Sequence, residues 1–412
     1  DGSLVKSVKT LLSSTGKLDK SLKIQKSAAG FIVPTLYESL DQLDNEIRNN
    51  NKIRPQLVER VVKDVETSNV IENSVLKYLK GIKISSQESN ILLSKIPKKY
   101  TLYPPLLLIN NQDTFESQEW EAHFRLYPSE EFYKQLLANF PQITHIAINK
   151  PIIEQDVMRR PFNISPLFGD FGPEPTSEMF DNPTEKDFED AFWCTVVQNG
   201  IYQTWAPRYT MFSRGNIKEK ARVLSFKDVK NTTVVDMYAG IGYFTLSYLK
   251  LGAKVFCFEI NPWSIQGLIR GVAKNGFSYK VVSRNEEIEW DDSVQCWIFN
   301  ESNEFVNERL CQTNQHFNIS HVNMGLLPSS RQSWQHTLTL VNTFSTTNTT
   351  IHIHENESVD NLPTFMNLTA VELTNLALDD KTEHNMNIIP LHLEKIKTFA
   401  PGIWHICADF KL

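Results

Sequence analysis

Residues 234–264, VVDMYAGIGYFTLSYLKLGAKVFCFEINPWS, end two apolar runs on acids, Asp236 and Glu259, and set Gly240 and Gly242 in the loop between them. Glycines there let the backbone come close to a ligand, and the amides that open the following helical pattern face the same place. An acid closing the next strand can accept both hydroxyls of a ribose. A Gly-x-Gly pair alone also makes an ordinary strand–helix turn, but a bare turn has no need of the second acid. The loop, which also carries Tyr238, departs from the dinucleotide pattern G-x-G-x-x-G, because Phe244-Thr245 stands where the third glycine belongs. The spacing D-x-x-x-G-x-G suits S-adenosylmethionine better than NAD.

Such a loop needs a parallel sheet to hold it. From about residue 191 the pattern is regular: FWCTVVQNGIYQTW predicts a hairpin turning at Asn199-Gly200, and NIKEKARVLSF predicts a helix entered from Asn216. Strand candidates follow at 232–237, 253–259, 294–299, 319–324, 350–354 and 402–410, alternating with helical stretches, which argues for an α/β domain. Residues 277–293 read as an acidic surface insertion. Upstream, PTLYESLDQLDNEIRNN and RPQLVERVVKDVE have helical spacing, FYKQLLANF predicts a helix, and 103–108 and ITHIAINK predict strands. Residues 151–190, rich in Pro, Gly and acids, read as a long loop or linker. The 412 residues fit two or three domains, here 1–185 and 186–412. The net charge of −6 leaves any nucleic-acid contact to a local basic face. Five scattered cysteines without C-x-x-C spacing point to neither a disulfide framework nor a zinc site, and fit a reducing, cytoplasmic setting. No run is long enough to be a transmembrane helix.

DMYAGIGYFTL, FEINPWS and HVNMGLLPSS, with NGIYQTWAPRYTMFSRGNIKEKAR, IHIHEN and KTFAPGIWHICADF, fall in order over residues 190–412. Together they resemble the tRNA wybutosine-synthesising protein 2 family, the tRNA aminocarboxypropyltransferases, relatives of the tRNA guanine-N1 methyltransferases. PLFGDFGP extends the resemblance upstream. It implies an α/β fold, a class I S-adenosylmethionine-dependent Rossmann-like domain, with an N-terminal mixed α+β region. It also implies transfer of the 3-amino-3-carboxypropyl group to 4-demethylwyosine of phenylalanine tRNA, beside the anticodon, with release of methylthioadenosine. The expected state is a monomer without metal or membrane. One sulfonium carries three electrophilic carbons; which one reacts depends on which is presented to the nucleophile, at roughly 3–3.5 Å.

Carried over by motif, Ser213 of MFSRGN and Lys220 of KEKAR contact the cofactor, Lys220 on its carboxylate. Without the resemblance, Lys220 reads as a solvated helix charge. Asp236, Tyr238, Gly240, Gly242 and Glu259 complete the loop site. The family's Asp-Asn pair near the adenine is replaced. Aligning VQCWIFNES with that strand puts Glu301 and Ser302 there, and a rival alignment puts Arg284-Asn285 there. Asn323, Leu327, Pro328 and Ser329 wall the cleft, with Ser329 or Ser330 also suited to cap a helix. No general base is identified: the position where relatives carry an acid is Ala206. A guanine-N1 methyltransferase would be expected to carry that acid, and Asn-Pro-Arg in place of FSRGN; a non-catalytic tRNA-binding protein is the other rival. His352 and His354 share a strand face, but with no third ligand evident they read as ordinary histidines.

For RNA, Arg208, Arg214, Lys218, Lys220, Arg222, Lys227 and Lys230 form a local basic stretch suited to phosphates, with Arg208 and Arg214 the expected substrate contacts. Arg159, Arg160, Lys95, Lys98 and Lys99 are further candidates. Trp205 and Tyr209 suit either stacking on a base or the hairpin's core.

Overall fold

The computed structural model describes residues 2–19, 24–27, 30–37, 39–56, 69–110, 113–150, 156, 160–161, 164–379 and 386–412. Two compact units divide at Thr67 and Ser68. The first contains the helix Gly2–Ser14, a small hairpin and the short helix Asn45–Arg48. The helix expected over PTLYESLDQLDNEIRNN is reduced to Asn45–Arg48 and a single 3-10 turn, Leu40–Gln42. Side chains hold this stretch in turns instead: Tyr37 donates to Asp44, and the Arg48 guanidinium donates to the carbonyls of Leu40 and Asp41. RPQLVERVVKDVE lies largely outside the described residues.

The second unit is built on an eight-stranded sheet: β1 Thr233–Asp236, β2 Lys254–Glu259, β3 Tyr279–Ser283, β4 Cys296–Asn300, β5 Ile319–Met324, β6 Thr350–Ser358, β7 Ile389–Ala400 and β8 Ile403–Lys411. The spatial order is β3-β4-β2-β1-β5-β6-β8-β7. All neighbours pair parallel up to β6, and β8 runs antiparallel between β6 and β7. Chain order reverses at β1, flanked by β2 and β5, and in such open sheets ligands lie beyond the strand ends at the reversal. This is the expected Rossmann-like α/β fold. The sheet's central strands are apolar on both faces, with Val235, Phe256, Phe258, Trp297, Phe299 and Val322 in one core and Val234, Val255, Cys257 and Ile298 in another.

The six strands expected in this half are present. Two more were not expected: β3, inside the stretch read as an acidic insertion, and β7. The hairpin pairs Cys194–Gln198 with Ile201–Trp205, and Asn199 and Gly200 both take positive φ, 54° and 69°, at its turn. Upstream, the strands Tyr100–Tyr103, Leu106–Ile109, His145–Ile148 and Ser165–Phe168 form a mixed sheet over an aromatic core that includes Trp120, Phe132 and Tyr133. Residues 165–190 are ordered structure, with helices Ser177–Asp181 and Glu185–Asp190, the latter opened by a Thr184/Asp187 capping box. Among the described residues no helix is long and apolar enough to cross a membrane.

Candidate functional site

The glycine loop is held from below. Asp236 is fully buried and accepts from the Thr245 hydroxyl at 2.7 Å, the Thr245 amide at 3.2 Å, the Tyr238 amide and Asn323 Nδ2 at 3.2 Å. Burial raises the Asp236 pKa, and these donors oppose the rise. Asn323 is 1% exposed. Two residues expected to line the cofactor site therefore grip each other and the loop backbone, and reach a ligand only through that backbone.

Gly240, at φ +56°, donates its amide to Glu259 Oε2 at 2.8 Å. Glu259 Oε1 accepts from the amides of Ile260 and Asn261. Burial raises the Glu259 pKa, again against hydrogen bonds that favour the carboxylate. Glu259 thus ties the loop to the end of β2 and keeps spare acceptor capacity for a hydroxyl. Gly242, at φ +88°, has a packing reason to be glycine: a Cβ there would lie 2.7 Å from Leu268 Cδ1, on the helix Pro262–Lys274. Tyr238 is half-buried, and its hydroxyl accepts from Gln332.

Lys220 is not a solvated helix charge. It is 3% exposed, in the short helix Ile217–Val223. Its Nζ donates to Gln203 Oε1 at 2.7 Å and Gln198 Oε1 at 3.0 Å, and lies 5.0 and 5.2 Å from the ring centres of Phe212 and Tyr243. Among the described residues no carboxylate pairs with it. Burial alone pulls its pKa down to about 7. Gln203 also donates Nε2 to the Gly242 carbonyl, which turns its amide oxygen toward Lys220. Tyr243 donates to the Met211 carbonyl and accepts from the Ser213 amide, so it ties the MFS segment to the glycine loop. A buried amine held, among the described residues, by neutral dipoles beside a glycine loop can take an anion, which favours its charged form. Gln198, Gln203 and Tyr243 were missed in the sequence. Gln203 had a signal: it is a polar residue on the inward face of its strand, between Ile201 and Trp205.

Beyond β2 and β4, whose ends register Glu259 against Asn300, a cavity of about 300 Å³ is lined by Ile260, Arg284, Asn300, Glu301, Ser302 and Phe305, with Glu304. Cys296–Asn300 is the strand beside β2, and Arg284 of the rival alignment lines the same cavity as Glu301 and Ser302. The Glu301 carboxylate is bound by Arg309, itself 3% exposed and fixed by the carbonyls of Ser283, Arg284 and Glu286. Ser302 caps the turn that follows, accepting from the Glu304 amide. In the loop after β5, Leu327–Pro328 is a cis peptide. Ser329 donates to Glu355 Oε1 at 2.9 Å, and the Ser330 amide donates to the same oxygen. Glu355 is 6% exposed, and burial raises its pKa.

The basic stretch is corrected in several places. Arg208 is 7% exposed and turned inward, donating to the carbonyls of Gly172 and Pro173 and pairing with Glu174. Its guanidinium clamps the GPE loop and is not presented to a phosphate. Arg222 lies between Glu219 and Asp409. Arg214 opens the 3-10 turn Arg214–Asn216. Lys218 pairs with Glu394, and Lys227 and Lys230 are exposed. Of the further candidates, Arg160 pairs with Asp156 and Asp181, while Arg159 lies outside the described residues. Lys95 pairs with Asp113, and Lys98 and Lys99 are exposed. Trp205 and Tyr209 belong to the core: Tyr209 stacks on Trp263 at 3.6 Å, and Trp205 on Phe212. Ala206 is fully buried among Phe180, Phe188, Tyr209 and Trp263, where a carboxylate would stand unsolvated.

Residues 195–311 match the TRM5/TYW2 methyltransferase domain family. The chain is 37% identical to tRNA wybutosine-synthesizing protein 2 of Saccharomyces cerevisiae, over 97% of this chain and 96% of that protein. It is 38% identical to the protein of the same name from Schizosaccharomyces pombe, over 92% of this chain and 87% of that one. Among solved structures, P. horikoshii TYW2 in complex with MeSAdo superposes with a TM-score of 0.53 at 19% identity, over 82% of this chain and 98% of that one, a likeness of fold. With identity of this level along almost the whole length of both fungal proteins, the chain belongs to the tRNA wybutosine-synthesizing protein 2 family.

Proposed function

We propose that this chain is an S-adenosylmethionine-dependent tRNA transferase that moves the 3-amino-3-carboxypropyl group onto 4-demethylwyosine beside the anticodon of phenylalanine tRNA, in wybutosine synthesis. When bound, S-adenosylmethionine supplies an electrophilic side-chain carbon: its bond to sulfur breaks, a bond to a ring carbon of the acceptor forms, the ring proton leaves to water, and methylthioadenosine departs. The sulfonium is its own leaving group, so the transfer needs no metal.

The observation that carries the reading is Lys220, a buried amine that no acid pairs with among the described residues, joined through Gln203 to the glycine loop. A carboxylate there completes the pairing that the fold withholds, a contact of about 1.5–3 kcal/mol. Pinning that end of the cofactor decides which carbon faces the base. Ser213 stands beside it, bound through its amide to Tyr243. Glu259 holds the Gly240 amide in place and offers its remaining acceptor capacity to the ribose. Ile260, Glu301 and Ser302 border the cavity that fits the adenine, and Arg309 fixes the Glu301 carboxylate. Leu327, Pro328 and Ser329, with Tyr238, wall the acceptor side, while Asp236 and Asn323 set the loop from beneath. No acid stands at Ala206, and the role left to the protein is positioning. The region up to residue 185 holds the tRNA, and the enzyme works as a cytoplasmic monomer.

Incubation with S-adenosylmethionine and hypomodified phenylalanine tRNA, followed by mass analysis of the nucleosides, tests the reading. The tricyclic nucleoside should gain an aminocarboxypropyl group. A gain of one methyl group, or no gain from folded enzyme that binds the cofactor, would overturn it.

A further inference from the structure

Behind the helix that carries Lys220 lies a cluster of buried ionisable groups that the transfer does not use. Glu219 faces β6 and β8 from that helix and is 1% exposed; His354 of β6 is 1% exposed; Cys407 of β8 is fully buried. One donor atom from each lies within 4.8 Å of the other two. The sequence, with His352 and His354 in view, offers no third ligand, because Glu219 and Cys407 are distant in the chain and only the sheet brings them together.

We propose that Glu219, His354 and Cys407 form a structural binding site for a divalent transition metal of the zinc class. The donor set is one oxygen, one nitrogen and one sulfur, which suits zinc rather than magnesium or calcium. The nitrogen is identified by what it lacks. His354 Nδ1 is bonded to His405 Nε2 at 2.9 Å, whereas His354 Nε2 is buried with no partner among the described residues. An orphaned ring nitrogen costs free energy in a core, and a metal ion satisfies it. With Nδ1–H donating to His405, the Nε2 lone pair is the one left to bind, as in metal-ligating histidines generally.

The outer partners fit as well. Arg222 donates to both oxygens of Glu219 and, at 3.4 Å, to Cys407 Sγ, which orients the carboxylate and partly offsets the burial that pushes the Cys407 thiol pKa up. Binding displaces one proton from the Cys407 thiol. Charges then balance: a dication and Arg222 stand against Glu219, Asp409 and the thiolate. The second trio within the same distance, His352, Cys407 and Asp409, is weaker. His352 already spends both ring nitrogens, on Asp409 at 2.7 Å and His321 at 2.9 Å. Metal bonds of about 2.0–2.3 Å require the three donors to draw together slightly. The ion would fasten the seven-residue helix bearing Lys220 to two strands of the sheet. The site stands on its own residues and does not depend on the reaction proposed above.

The test uses the whole chain, produced with zinc and without chelator, then stripped and titrated with cobalt(II). We expect one metal ion per chain by elemental analysis and a thiolate-to-cobalt charge-transfer band in the near ultraviolet. C407S should abolish the band and weaken cobalt binding by ~100-fold or more, beyond the 10–100-fold that loss of an outer partner costs. C311S, at the exposed cysteine, should leave both unchanged. Absence of the band in the wild-type chain overturns the proposal and needs no variant to fold. Equal cobalt binding by C407S and wild type also overturns it, as adventitious surface binding.

Discussion

Lys220 shows how far a residue's neighbours can change its meaning. In the sequence it is one lysine among seven basic residues. In the fold it is buried, unpaired by any acid among the described residues, and held by two glutamines. We expect Lys220→Met to weaken S-adenosylmethionine binding by about 1.5–3 kcal/mol, roughly 10- to 150-fold. The same change should raise the stability of the ligand-free chain, because it removes the cost of burying an amine that no acid among the described residues pairs with. Calorimetry and thermal melting read the two effects. A variant that loses stability and keeps affinity would remove Lys220 from the site. Glu259→Ala should cost a similar 1.5–3 kcal/mol of cofactor binding, measured the same way. Unchanged affinity in a folded variant would leave Glu259 as a strand-end brace only. The motif gave Lys220 and Glu259 their roles. It could not show that Asp236 and Asn323 consume each other, because their contact joins strands far apart in the chain.

At the scale of elements, legibility followed burial. The buried parallel strands are continuous apolar runs, and the hairpin announced itself by Asn199-Gly200. The strands missed in this half are the two sheet edges. Tyr279–Ser283 is largely half-exposed and carries Lys280, so its pattern resembles a surface loop. Ile389–Ala400 is mostly exposed, and three register irregularities against its neighbour break the alternation by which a strand is read. The Pro, Gly and acid content of 151–190 suggests a long loop or linker, yet within it Gly172 sits where a Cβ would meet the Asp190 carbonyl oxygen at 2.4 Å, so this part is packed. Gly242 belongs to this scale too. Gly242→Ala puts a methyl against Leu268 at positive φ and should destabilise the chain by ~1–3 kcal/mol. A urea midpoint equal to wild type would show that loop and helix can separate without cost.

For the whole molecule, the acidic net charge makes RNA binding a question of which cations remain outward. Arg208, Lys220 and Arg222 are committed inside, which leaves Lys227 and Lys230 exposed in the former basic stretch, along with Lys218, which is exposed but paired with Glu394. Alanine at both should reduce the salt slope of tRNA binding by about 0.7 per contact if the single-strand value applies. Arg208→Ala should lower thermal stability by freeing the GPE loop and leave that slope alone. An unaltered slope for the double variant would move the RNA surface to Lys98 and Lys99. The central claim is that the bond broken joins sulfur to the aminocarboxypropyl carbon. Two preparations of S-adenosylmethionine test it most directly, one carrying radiocarbon in the methyl group and one in the carboxyl group. The account predicts that only the carboxyl label enters tRNA, with methylthioadenosine released in equal amount. Methyl label in the tRNA, with S-adenosylhomocysteine as the by-product, would contradict it.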